Sequence, residues 1–143
     1  MNDAQPMAEI TDAQRQFAAD ALHNLPFARL MGMHLDSLKL DEAVISLEVR
    51  DDLRQPSGVL HGGVTATLID TAMAFAVRTR LEPTAATATI DLTVHYLRPL
   101  VEGRAICTGR VVRAGKRVFT VSADVHNEEG KIVATGLSTY TRV

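Results

Sequence analysis

The chain has 143 residues, 46% of them hydrophobic and 22% charged, a balance that supports a folded core and excludes a disordered chain. The formal net charge of −2 removes the electrostatic case for binding nucleic acid through its phosphates. A single cysteine, Cys107, excludes an intramolecular disulfide and suits a reducing cytoplasm.

Length alone predicts one domain spanning 1–143, able to bury roughly two-thirds of its unfolded surface. The first residues, MNDAQPMAEITDAQ, carry neither a basic nor an apolar leader region, so no signal peptide is expected. The five histidines show no HxH or HxxxH spacing, and no metal site is expected. No repeat or linker composition divides the chain.

In chain order, Thr11–Asn24 places Phe17, Ala18, Ala21 and Leu22 at helical spacing, with Thr11 or Asp12 available as N-cap. This helix belongs to an N-terminal extension over 1–26. A short helical turn comes after Pro26 and ends at Gly32. From His34 to Arg50 the period changes to two, and Asp41-Glu42 is the expected hairpin turn. From about Leu60 to Arg80 runs the one long helix of the body. Val64, Ala66, Leu68, Ile69, Ala72, Met73, Phe75, Ala76 and Val77 go almost all the way round it, so it should be buried on every face.

The rest of the chain is β-like: Thr84–Arg98, Arg104–Arg113, Arg117–Asn127 and Lys131–Arg142, rich in Val, Ile, Thr and Tyr. Their connections are too short for crossover helices, so the sheet should be antiparallel. The simplest packing is an α+β layer, one curved sheet wrapped around the central helix.

Within that helix Asp70 is the only formally charged side chain between Arg54 and Arg78. An unpaired buried carboxylate costs several kcal/mol, so its position wants a reason. It is either a satisfied polar contact at a subunit interface or a proton acceptor tuned by burial. At the helix start, Gly62-Gly63 let a ligand approach the backbone closely, and the unpaired N–H groups there suit a polarised carbonyl oxygen.

Asp70 lies about 12 Å further along the axis and on the opposite side from His61. One small reacting group therefore cannot touch Gly62 and Asp70 of the same chain. If both serve one reaction, they come from two subunits of a two-fold dimer.

Gln55-x-x-Gly58-x-x-His61-Gly62-Gly63, followed by Leu68-x-Asp70-x-Ala72, resembles the signature of hot-dog-fold acyl-CoA thioesterases, in particular the phenylacetic-acid-pathway (PaaI-like) group. The resemblance covers about residues 27–142 and includes Thr-Ile-Asp-Leu-x-Val-x-Tyr-x-Arg-Pro (89–99) and Gly-Lys-Arg (115–117). It implies an antiparallel sheet around a long helix, and a homodimer with two interface sites, commonly paired into a tetramer.

By resemblance Asp70 is the catalytic carboxylate, as general base or nucleophile. Gly62 N–H polarises the thioester carbonyl, helped by Gly63, and His61 orients the loop. Gln55 stands where Asn is common, and a hydroxyl partner falls near Thr89, where relatives carry Ser. Coenzyme A enters as part of the substrate, without a metal or separate cofactor. Arg98, Arg113, Lys116 and Arg117 are the expected phosphate contacts, ahead of Arg54, through guanidinium and ammonium donors. Phe75, Met73, Leu60 and the N-terminal helix are expected around the acyl group. The rival readings are a hot-dog (de)hydratase, which relies on a catalytic His, and a non-catalytic acyl-CoA-binding module.

Overall fold

The computed structural model describes residues 9–143; the expected lack of a leader and the start of the N-terminal extension fall on residues 1–8, outside that range. Helix α1 (Asp12–Asn24) begins in a capping box: Thr11 Oγ1 accepts from Gln14 N–H, and the Gln14 side chain accepts from Thr11 N–H. Helix α2 (Pro26–Met31) starts on proline and stops at Gly32, whose φ of 73° is left-handed.

Strands β1 (His34–Lys39) and β2 (Glu42–Glu48) form the hairpin. Its turn falls at Leu40-Asp41, one residue before the expected Asp41-Glu42. Asp41 takes a φ of 68°, and the end of helix α3 (Gly62–Arg78) holds it there. Its N–H donates to Thr79 Oγ1 at 2.9 Å, and Arg80 Nη2 donates to its Oδ2 at 2.6 Å.

Strands β3 (Thr87–Tyr96), β4 (Arg104–Ala114), β5 (Val118–His126) and β6 (Ile132–Arg142) complete one six-stranded antiparallel sheet. Its spatial order is β1-β2-β4-β5-β6-β3. The consecutive strands β3 and β4 are therefore not neighbours. Residues 97–103 cross the end of the sheet between them, pinned by Leu97 N–H to Val133 O and Leu60 N–H to Leu100 O. This puts β3 on an edge, paired only with β6.

The curved sheet wraps α3, whose Leu68, Ile69, Ala72, Met73, Ala76 and Val77 are fully buried against it. The approach is close enough to dictate two glycines. A Cβ on Gly109 would lie 2.7 Å from the Ala72 carbonyl carbon, and one on Gly136 would lie 2.7 Å from Ile69 Cγ2. Gly109 meets backbone, which cannot step aside. Gly109→Ala is therefore expected to lower unfolding free energy by about 1–3 kcal/mol, as overpacked cores do, a change that denaturant titration resolves.

Contrary to expectation, α3 is not buried on every face within the chain. Gly63, Thr67, Asp70, Thr71 and Ala74, spaced three and four apart, form a stripe that stays at least partly accessible. Thr67 Oγ1 donates to Gly63 O and Thr71 Oγ1 to Thr67 O, each at 2.8 Å. Those hydroxyls are satisfied inside the helix, so the stripe presents small apolar groups with one carboxylate at its border. Beside it, the inward face of β3 leaves Leu92 and Tyr96 exposed.

Candidate functional site

The helix start is organised by the segment before it. A tight turn at 55–59 carries Gly58 at φ 88°, and His61 N–H donates to Leu53 O at 2.8 Å. His61 is the N-cap of α3: its Nδ1 accepts from Gly63 N–H at 2.9 Å. Val64 and Thr65 N–H both reach His61 O. Of the four N–H groups that open a helix, only that of Gly62 has no partner among the described residues. The Gly63 N–H is thus committed to His61, and the donor free to meet a carbonyl oxygen is that of Gly62.

A cleft of about 500 Å³ opens at this point, lined in part by Gln55, Gly62, Thr65, Tyr96, Arg98 and Leu100. Tyr96 donates from its hydroxyl to Gly62 O at 2.6 Å, and its ring lies over the Gly62 Cα, where a Cβ would come within 3.2 Å. Gln55 Nε2 donates to Ser57 Oγ at 2.7 Å. Arg98 Nη1 donates to Ile132 O at 3.1 Å.

Asp70 is held at a different place. Thr89 Oγ1 donates to Asp70 Oδ1 at 2.9 Å, and the Tyr140 hydroxyl lies 2.5 Å from the same oxygen and 2.7 Å from the Asp70 carbonyl oxygen. Thr89 and Tyr140 face each other across the β3–β6 ladder, so register brings both hydroxyls to one carboxylate. Burial, and then the adjacent Asp70, push the Tyr140 phenol well above its ordinary range, and it stays a donor at any working pH.

Strand direction sorts the remaining residues. Tyr96 and Arg98 lie at the end of β3 beside the Gly62 cleft. Thr87, at the other end, pairs with Arg142, and Arg142 Nε donates to Lys116 O at 2.9 Å. The β4–β5 turn that carries Lys116 and Arg117, with Arg113 beside it, therefore stands near the Thr89 end of the strand. Those two ends are about 30 Å apart at the rise of an extended strand. One protomer thus carries two half-sites: Gln55, Gly62, Tyr96 and Arg98 at one end, Asp70, Thr89 and the basic turn toward the other.

Arg54 is already engaged, donating from Nη1 to Gly58 O at 2.8 Å and pairing with Asp51. Of the expected acyl-lining groups, only Phe75 and the N-terminal helix α1 are brought together. Leu60 lines the Gly62 cleft, Phe75 lines a separate groove against α1, and Met73 is sealed between helix and sheet. Met73 points into the sheet because it shares a helix face with Ile69 and Ala76.

Two residues of the constellation escape a reading of the sequence. Tyr140 gives a signal only as a polar side chain on the same strand face as Gly136 and Ser138, which the core covers. Tyr96 lies inside the 89–99 motif, but its contact with Gly62 depends on the fold.

Known proteins share this fold. Residues 57–134 match the family described as the thioesterase superfamily, a stretch that runs from the Gln55 turn through α3 into β6. The chain belongs to the thioesterase superfamily. It is similar to the medium/long-chain acyl-CoA thioesterase YigI of Escherichia coli strain K12, 30% identical over 83% of this chain and 86% of the relative. It is also similar to acyl-coenzyme A thioesterase 13 of Pongo abelii, 29% identical over 93% of this chain and 96% of that protein. Among solved structures, the E. coli PaaI protein from the phenylacetic acid degradation operon superposes with a TM-score of 0.82 at 25% identity, over 90% of this chain and 92% of that one. The six-stranded antiparallel sheet around α3 is the hot-dog fold expected from the sequence, and membership makes this thioesterase-superfamily chain a thioester hydrolase by class. No helix among its described residues is long and apolar enough to cross a membrane.

Proposed function

We propose that this thioesterase-superfamily chain hydrolyses an acyl- or aryl-CoA thioester to the free acid and coenzyme A, in the cytoplasm, as a homodimer with two composite sites. The observation that carries the reading is the separation of the half-sites: the free Gly62 N–H and the hydroxyl-held Asp70 lie on one helix about 12 Å apart. A two-fold partner packed on the open stripe of α3 and the free edge of β3 would run antiparallel to it. Its Asp70 would then lie beside the first protomer's Gly62, and the reverse contact would form the second site.

In such a site the Gly62 N–H and the positive end of α3 stabilise the negative charge that grows on the thioester oxygen. Asp70 attacks the carbonyl carbon or takes the proton from an attacking water. Gln55 lies in the Gly62 cleft, placed to orient water or substrate. Arg113, Lys116 and Arg117 of one protomer, with Arg98 of the other, would receive the coenzyme A phosphates. Two such dimers would pair into a tetramer.

His61 helps separate hydrolysis from the rival (de)hydratase reading, in which a histidine moves the proton. Its Nδ1 is engaged by Gly63 N–H, which favours a capping role. Asn also caps helices well, whereas Ala does not, at a cost of about 1 kcal/mol of stability. His61→Asn is therefore expected to keep turnover near that of the parent protein, while His61→Ala lowers the thermal midpoint. Loss of all turnover in a folded His61→Asn protein would count for the proton-carrying role.

The decisive measurement is thiol release across a panel of aryl and aliphatic acyl-CoAs. Release from at least one, absent in the Asp70→Ala protein, supports hydrolysis. Tight binding with no release from any supports the acyl-CoA-binding module instead.

A further inference from the structure

The two oxygens of the Asp70 carboxylate are not equivalent. Oδ1 receives Thr89 Oγ1 at 2.9 Å and the Tyr140 hydroxyl at 2.5 Å. Oδ2 has no hydrogen-bond partner among the described residues, and it is not a sealed atom, since no buried side-chain oxygen there is left unpaired. We propose that Tyr140 is a positioning residue for the hydrolysis: with Thr89 it occupies Oδ1 and thereby makes Oδ2 the oxygen that reacts. This inference rests on the hydrolytic reading of Asp70 given above.

Several features make Tyr140 suited to the task. Its side chain is 1% exposed, so packing fixes the ring and leaves the hydroxyl little choice of direction. Its two acceptors are the Asp70 carbonyl, which sits inside a helix, and the Asp70 carboxylate, which is charged and nearer. The proton goes to the carboxylate, because hydrogen bonds to ionised acceptors are shorter and stronger.

Thr89 by itself would be a weak anchor, since it is exposed on an edge strand. Two donors from two strands fix both torsions of a short side chain and leave its second oxygen unengaged. From β3 the group facing Asp70 is the uncharged Thr89, and from β6 it is Tyr140. The nearby Asp91 carboxylate is turned away, accepting from Thr139 N–H at 2.8 Å.

Tyr140→Phe in the intact oligomer tests the idea, because it removes one oxygen and keeps the ring. The expected result is a fall in kcat of about ten- to a hundredfold, the range for one hydrogen bond to a charged group, with KM little changed. An unchanged kcat would overturn the proposal, whether or not KM rises.

If Tyr140→Phe does not fold, 3-fluorotyrosine placed at 140 keeps the shape and makes the hydroxyl a stronger donor. The kcat should then differ from that of the parent protein with KM unmoved, and an unchanged kcat overturns the proposal. Asp70→Asn separates the two ideas: turnover surviving in that variant defeats the hydrolytic reading itself, whereas a dead Asp70→Asn beside an unaffected Tyr140→Phe defeats only the role of Tyr140.

Discussion

Asp70→Asn is expected to lower kcat for thiol release from acyl-CoA by about 10²–10⁴-fold, the usual worth of a positioned proton acceptor, without dissociating the oligomer. Asn is nearly isosteric, and its carbonyl oxygen can still accept from Thr89 and Tyr140, which hold Asp70 at 2.9 and 2.5 Å. What disappears is the negative charge, and with it the ability to take a proton or attack a carbonyl carbon. Steady-state thiol release with size-exclusion chromatography on the same sample makes the comparison. Near-parent turnover from a correctly assembled variant would remove Asp70 from the chemistry.

The second large effect concerns Gly62, and it tests the sharing of a site between subunits. Proline has no N–H, and the first helical position is the one place where a helix accepts it without loss. The preceding residue, His61, is already extended, with φ −60° and ψ 131°, as a residue before proline prefers. A Cβ at 62 would meet the Tyr96 ring at 3.2–3.3 Å, and that ring, 56% exposed, can shift by the few tenths of an ångström required. Gly62→Pro should therefore remove one oxyanion donor and little else, lowering kcat by about 10²–10³-fold.

Co-expressed with Asp70→Asn, however, it should recover activity. In a mixed dimer one site combines both lesions and the other combines neither. Random pairing at equal amounts then leaves about a quarter of all sites intact. Activity of that order from two nearly inactive chains requires a composite site. Recovery no greater than the sum of the parents would confine each site to one subunit.

Much of the architecture is legible in the residues alone. The period-two alternation at 42–49, the turn residues at 114–116 and 127–130, and the apolar run at 64–77 each state a local preference. Local preference is strong where burial and hydrogen bonding agree with it. Asp70 stands out for the same reason, since a lone carboxylate in an apolar helix contradicts its surroundings. The helical rise and twist are enough to show that it cannot share a small reacting group with its own Gly62.

Long-range pairing lies beyond such rules. That β3 leaves its sequence neighbour β4 and pairs with β6 is settled by how a curved sheet closes on α3, and no local period records it. That pairing sets Thr89 opposite Tyr140 and so delivers two hydroxyls to Asp70. It also carries Tyr96 to Gly62. Likewise, spacing places Met73 on the helix but does not say which of its apolar faces meets the sheet.

The sequence by itself determined the elements, the helix start and the one carboxylate, because those depend on backbone geometry and the cost of burying charge. Only the tertiary structure decided which side chains meet that carboxylate and which face of α3 stays open, because both depend on strands far apart in the chain arriving at one register.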